Sequence, residues 1–93
     1  IARTNAAANA AYQLGRMAFD GRGAWAEAER WFATYLSERP GGPLAPEALG
    51  RSMECARSRG DDARARELAR TYLERYPKGA HAAVAAGLLA EGP

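Results

Sequence analysis

The chain repeats itself. Slid against itself by 37 residues, it matches at eleven of the 37 positions from Ala8 to Leu44 without a gap. Ala8 and Ala11 fall on Ala45 and Ala48, Arg22-Gly23 on Arg59-Gly60, and Ala26 and Ala28 on Ala63 and Ala65. Thr34-Tyr35-Leu36 falls on Thr71-Tyr72-Leu73, Pro40 on Pro77 and Gly42 on Gly79. Alanine is common enough here to match by chance. Gly23/Gly60, Tyr35/Tyr72 and Pro40/Pro77 are not alanines, and they fall where punctuation belongs. A period of this length marks stacked supersecondary units, each burying its apolar face against its neighbours.

Within each unit the spacing is helical. Ala28, Trp31, Phe32, Tyr35 and Leu36 follow i, i+3, i+4, i+7, i+8, as do Ala65, Leu68, Ala69, Tyr72 and Leu73. The preceding segments read Ala8, Ala11, Tyr12, Gly15, Phe19 and Ala45, Ala48, Leu49, Ser52, Met53, Ala56. Trp31, Tyr35 and Tyr72 lie on this stripe and are expected in the core. Trp25 and Tyr76, at helix ends, are not placed by the pattern. Val84 and Ile1 are the only Val or Ile residues and no stretch alternates with period two, so strands are not expected.

Breaks follow the same frame. Glycines in Gly21-Arg22-Gly23 and Arg59-Gly60-Asp61 suit the left-handed residue that ends a helix. Asp61 is placed to cap the helix after it. Pro40 and Pro77 close each second helix, since proline offers no N–H. The pattern predicts helices over about 4–20, 24–38, 44–58, 62–75 and 79–90. The fold class is all-α: a right-handed helical-hairpin repeat of about five helices, one domain over 1–93. Repeat one covers about 8–44, repeat two about 45–81 and a closing helix about 79–90, stopped by Glu91-Gly92-Pro93.

Size and composition set limits. Ninety-three residues allow one domain, burying roughly 60–65% of its extended-chain surface. Twenty-three residues are alanine, which favours helices whose axes approach closely. Net charge is +2, from 13 basic and 11 acidic residues, so no polyelectrolyte partner is implied. One cysteine excludes an internal disulfide and a cysteine-rich metal site. No apolar run reaches the ~20 residues of a membrane span, so direct membrane insertion is not expected. The first residue is Ile1, which suggests a piece of a longer protein.

Catalytic and ligand signals are weak. His81, the only histidine, is expected as a solvated helix-start residue rather than a general base. Cys55 lies beside the apolar face of the third helix. Arg51 and Arg59 stand one turn either side, where they would lower a thiol pKa, yet a structural role is the better account. Asp61-Asp62 reads as helix capping rather than a metal site, and no cofactor is called for. Gly21-Arg22-Gly23 lacks the strand and lysine of a phosphate loop. The arginines Arg51, Arg57, Arg59, Arg64, Arg66 and Arg70 are interleaved with Glu54, Asp61, Asp62 and Glu67. That reads as a salt-laced face, not a nucleic-acid surface.

At this point the units resemble tetratricopeptide repeats (TPR). The resemblance rests on Ala28 and Ala65 early in each second helix, Phe32 and Ala69 four residues on, and the closing Pro40 and Pro77. It covers about residues 8–90. Tyr72-Leu73-Glu74-Arg75-Tyr76-Pro77-Lys78-Gly79-Ala80-His81 is similar to endings in bacterial envelope TPR proteins of the Tol-Pal-associated and outer-membrane-assembly lipoprotein type. Similar tails follow membrane-anchored anti-sigma regulators. Departures are visible: the usual small residue of the first helix falls on Arg16 and Met53. Gly15 comes one position early, as if the first inter-helix turn held an extra residue, and Asp62 stands where Trp25 keeps the usual aromatic.

The resemblance implies a noncatalytic protein–protein interaction module, TPR-like, on the periplasmic side of the bacterial envelope. It implies a groove lined by the first helices, which takes a protein or peptide partner. The family's groove positions fall on Gln13, Met17 and Asp20, then on Gly50, Arg51, Glu54 and Arg57, then on Gly87 and Glu91. Met17 would adapt to apolar groups, and Arg51 with Arg57 would hold a carboxylate. The alternative is a structural spacer or self-association element in a longer array, working through Val84, Leu88 and Leu89 of the last helix.

Overall fold

The computed structural model describes residues 4–91. Helix α1 (Asn5–Met17) runs on into a π-helical turn (Ala18–Arg22), followed by α2 (Trp25–Glu38), α3 (Ala45–Ser58), α4 (Asp62–Arg75) and α5 (Ala82–Ala90). The fold is all-helical, with no strand among the described residues. The helices pack in chain order, each on the next, and the body measures 41 × 27 × 21 Å. The starts of α2 and α4, Trp25 and Asp62, are 37 residues apart, as are those of α3 and α5, Ala45 and Ala82. The last helix begins at Ala82 rather than near 79, because residues 79–81 form the turn that enters it. Ile1 and, from the expected stop, Gly92 and Pro93 lie outside the described residues.

Local chemistry explains the ends. Thr4 Oγ1 accepts the N–H of Ala7 at 3.1 Å and starts α1. Asp61 Oδ1 accepts that of Arg64 at 3.1 Å and starts α4. Gly23 and Gly60 carry φ of +60° and +83°, the left-handed conformation read from the sequence. Gly21 instead lies inside the π turn.

The junctions between units are built twice in the same way. Tyr35 Oη accepts the backbone N–H of Leu44 at 3.0 Å. Tyr72 Oη accepts that of His81, also at 3.0 Å. In both turns a glycine, Gly42 or Gly79, leaves the room: a Cβ there would run into the tyrosine hydroxyl. Both tyrosines are fully buried, so the bond satisfies a polar group that would otherwise cost about 1–3 kcal/mol.

Punctuation is shared, but the fillings differ. In the first unit Phe32 is fully buried against bare Gly15, where a Cβ would stand 2.7 Å from Phe32 Cε1. In the second unit the corresponding residues are Ser52 and Ala69, and Met53 from α3 supplies volume instead. Phe19 stands where the second unit has Ala56. Its ring packs edge-on against Trp25 at 5.2 Å and Phe32 at 6.4 Å. The wider π turn lies where that extra ring must be seated, with one more residue per turn than an α-helix uses. Truncating Phe32 to Ala would cost about 3–5 kcal/mol.

Trp31 is not core. Ala28, Phe32 and Tyr35 point inward at i, i+4, i+7, and all three are fully buried. Trp31 falls on the flank of that arc, half-buried. Trp25 and Tyr76, left open by the pattern, are both partly buried against the core.

Candidate functional site

The hairpins put their first helices on one face and their second helices on another, and polar side chains bridge the units on each. Glu29 of α2, only 12% exposed, receives Arg59 Nη2 at 2.8 Å and Arg64 Nε at 3.3 Å. Arg64 also pairs with Glu67. Within the arginine-rich stretch, Arg59 and Arg64 are thus salt-linked around Glu29.

The first-helix face carries the expected groove residues. Gln13, Arg16, Met17 and Asp20 line a shallow depression of about 170 Å³. Met17 is 65% exposed and its neighbour Leu14 is 39% exposed. Three of the nine expected groove positions, Gln13, Met17 and Asp20, thus meet at one place on α1 and the π turn.

Arg51 joins them from α3. Its Nη1 donates to Asp20 Oδ1 at 3.1 Å and its Nε to Glu47 Oε2 at 2.9 Å. The guanidinium lies 5.0 Å from the centroid of the Phe19 ring. Hydrogen bonds to Glu47 and Asp20 outweigh burial and hold its pKa above the ordinary value. Arg51 was expected to hold a partner's carboxylate; two carboxylates of this chain already hold it. It does not line the depression, but it holds Asp20, which does.

His81 corrects the sequence reading most. It is not a solvated helix-start residue: its side chain is 15% exposed. The ring lies over Gly50, where a Cβ would collide with it, and edge-on to Tyr72 at 5.7 Å. Its Nε2 meets Glu47 Oε1 at 3.0 Å and its Nδ1 faces Glu54 Oε1 at 3.6 Å. Gly50, read as a groove position, is therefore covered. Glu54 belongs to the same face, one helical turn beyond Arg51.

A polar line results: Arg16, Asp20, Arg51, Glu47, His81 and Glu54, running from α1 across α3 to the start of α5. Burial pulls Glu47 upward, but hydrogen bonds from His81 and Arg51 outweigh it and hold the carboxyl below its usual 4.5. Glu47 was not singled out in the sequence. Its signal is spacing, because Glu47, Arg51 and Glu54 fall at i, i+4, i+7 on one side of α3.

Arg57 stands apart. It is exposed in the last turn of α3, where a positive charge suits the helix dipole. No side-chain hydrogen bond or ion pair of the described residues joins it to the others. Gly87 and Glu91 are exposed at the far end.

Other chemistry finds little support. Cys55 is fully buried. Burial first, then Glu29 and Glu54, push its thiol up to about 12 against the pull of Arg59 and Arg51, so it is no nucleophile at neutral pH. Among the described residues, no three His, Cys, Asp or Glu side chains gather where they could hold a metal ion. No helix among them is long and apolar enough to cross a membrane. A depression of about 400 Å³ lies on α2 between Glu27, Arg30, Trp31 and Thr34.

Of the three residues expected to mediate self-association, Leu88 is 7% exposed and Val84 37%. Leu89 is partly buried against the second core cluster. Only Val84 is open. Comparisons with protein-family models, curated proteins and solved structures give no match to this chain.

Proposed function

We propose that this domain is a noncatalytic protein-interaction module that takes a peptide segment of a partner along its first-helix face. The observation that carries this reading is Met17. A thioether that is 65% exposed stands beside Leu14 and lines a depression with Gln13, Arg16 and Asp20. Flexible, polarizable methionine suits a surface that must fit an apolar side chain. Asp20, Glu47 and Glu54 then offer carboxylate oxygens along the line beyond it, so the fitting segment pairs an apolar residue with hydrogen-bond donors. Arg51 positions the acidic groups and does not touch the partner. The resemblance of each unit to a tetratricopeptide repeat, and of the Tyr72–His81 stretch to envelope proteins, supports the same role on the periplasmic side of a bacterial envelope.

The test is selection of peptides from a displayed library on the immobilised domain. Binders are expected to compete with one another and to lose at least tenfold in affinity against Met17→Asp, with helicity and melting temperature unchanged. Binders indifferent to Met17→Asp would reject the groove.

A further inference from the structure

Helix α5 has no polar side chain: Ala82–Ala90 is alanine, valine, glycine and leucine throughout. One side is used. Ala85 and Leu88 are buried, and Ala82 and Leu89 pack against the second cluster beside α4. The other side, Ala83, Ala86, Gly87 and Ala90, is exposed, with Val84 at its edge.

The repeat says what such a side is for. Helix α5 stands 37 residues beyond α3, with Ala82, Ala85 and Gly87 matching Ala45, Ala48 and Gly50. In α3 the positions matching Ala86, Gly87 and Ala90 are Leu49, Gly50 and Met53, and every one is covered. Leu49 and Met53 lie in one apolar cluster with Ala65, Leu68, Ala69 and Tyr72 of α4. Gly50 lies under His81, the side chain nine residues after Tyr72. Helix α5 therefore bares the surface with which α3 receives its second helix and the turn after it.

We propose that this side of α5 is a docking surface for an amphipathic helix of the α4 kind. Such a helix carries small and large apolar residues at i, i+3, i+4, i+7 and is followed by a turn whose side chain settles over Gly87. The existing α3–α4 contact is the template, and the bare face of α5 continues it in register. The surface is separate from the Met17 groove, so neither reading depends on the other.

The experiment uses a labelled peptide of residues 61–82, which contains α4 and its turn, titrated into the isotope-labelled domain. Saturable binding is expected, with amide shifts at Ala83, Ala86, Gly87 and Ala90. Ala86→Glu, at an exposed helical site that tolerates the change, should weaken it at least tenfold, and Met17→Asp should not. A scrambled peptide without the i, i+3, i+4, i+7 pattern should not bind. Shifts confined to Met17 and Asp20, equal binding of the scrambled peptide, or no shift up to millimolar would overturn the proposal. So would self-association of the domain abolished by Ala86→Glu, which would give the surface to a second copy.

Discussion

The hydroxyl of Tyr72 accepts the backbone N–H of His81 at 3.0 Å, and so fixes where the chain turns into the last helix. Through that bond the second helix of one unit sets the start of the next. The imidazole is thereby held over Gly50 and against Glu47.

Removing that hydroxyl isolates the junction. Tyr72→Phe leaves the ring in place and the His81 N–H unpaired, and a loss of about 1–2 kcal/mol is expected. Tyr35→Phe, which frees Leu44 N–H in the same geometry, should cost a similar amount. Urea denaturation of both variants checks this. A loss at only one of them would show that the two junctions differ in ways their matching geometry hides.

Gly15 is a packing residue and not a helix defect. Alanine is ordinarily better than glycine in a helix by about 1 kcal/mol. Here its Cβ would lie 2.7 Å from the ring of a fully buried Phe32, and overpacking costs about 1–3 kcal/mol. Gly15→Ala is expected to lower the melting temperature, while Gly21→Ala, with open space around it, should not. Thermal melts by circular dichroism decide between the two effects.

Acid should loosen the first-helix face through Glu47. Its folded pKa lies below the ordinary 4.5, so its contribution is present above about 4.5 and is lost as pH falls through the folded value. Glu47→Gln is expected to flatten the stability–pH curve below pH 4.5. Denaturation midpoints measured between pH 3 and 7 would show an unchanged slope if the carboxylate is not the group involved.

Cys55 offers the opposite sign. A thiol raised from 9.0 to about 12 contributes stability in its protonated form. That contribution is complete below pH 9 and is lost as pH rises toward 12. At pH 8 the folded protein is expected to resist a thiol-specific disulfide reagent and to react only as fast as it opens. Immediate labelling of the native protein would contradict the burial of the sulfur.

Much of the fold was legible because its signals are local. Helical spacing, left-handed glycines, Asp61 and the closing prolines each act within one or two turns of themselves. Trp31 was misplaced because the pattern defines a stripe but not its width, and the stripe narrows to Ala28, Phe32 and Tyr35. Gln13, Met17 and Asp20 were named from the resemblance, and the structure brings these three to one depression. His81 was misread, and Arg51 in part, because a partner of each lies 30 or more residues away; Arg51's other partner, Glu47, stands only four residues off. Asp20 reaches Arg51 across a hairpin, and Glu47 reaches His81 across another. No single-chain spacing rule registers such pairs.

The complementary fillings of the two hairpins bear on how the chain avoids folding wrongly. A repetitive sequence risks pairing a helix with the wrong mate, because its turns and caps are alike. Here α1 offers a hollow at Gly15, sized for Phe32, and α3 offers Ser52 and Met53 instead. A mispaired α1 and α4 would set Ala69 against the hollow and leave a void. A mispaired α3 and α2 would drive Phe32 into side chains that are already there. Either error is penalised by shape alone, so the helices carry their own addresses even though their boundaries do not.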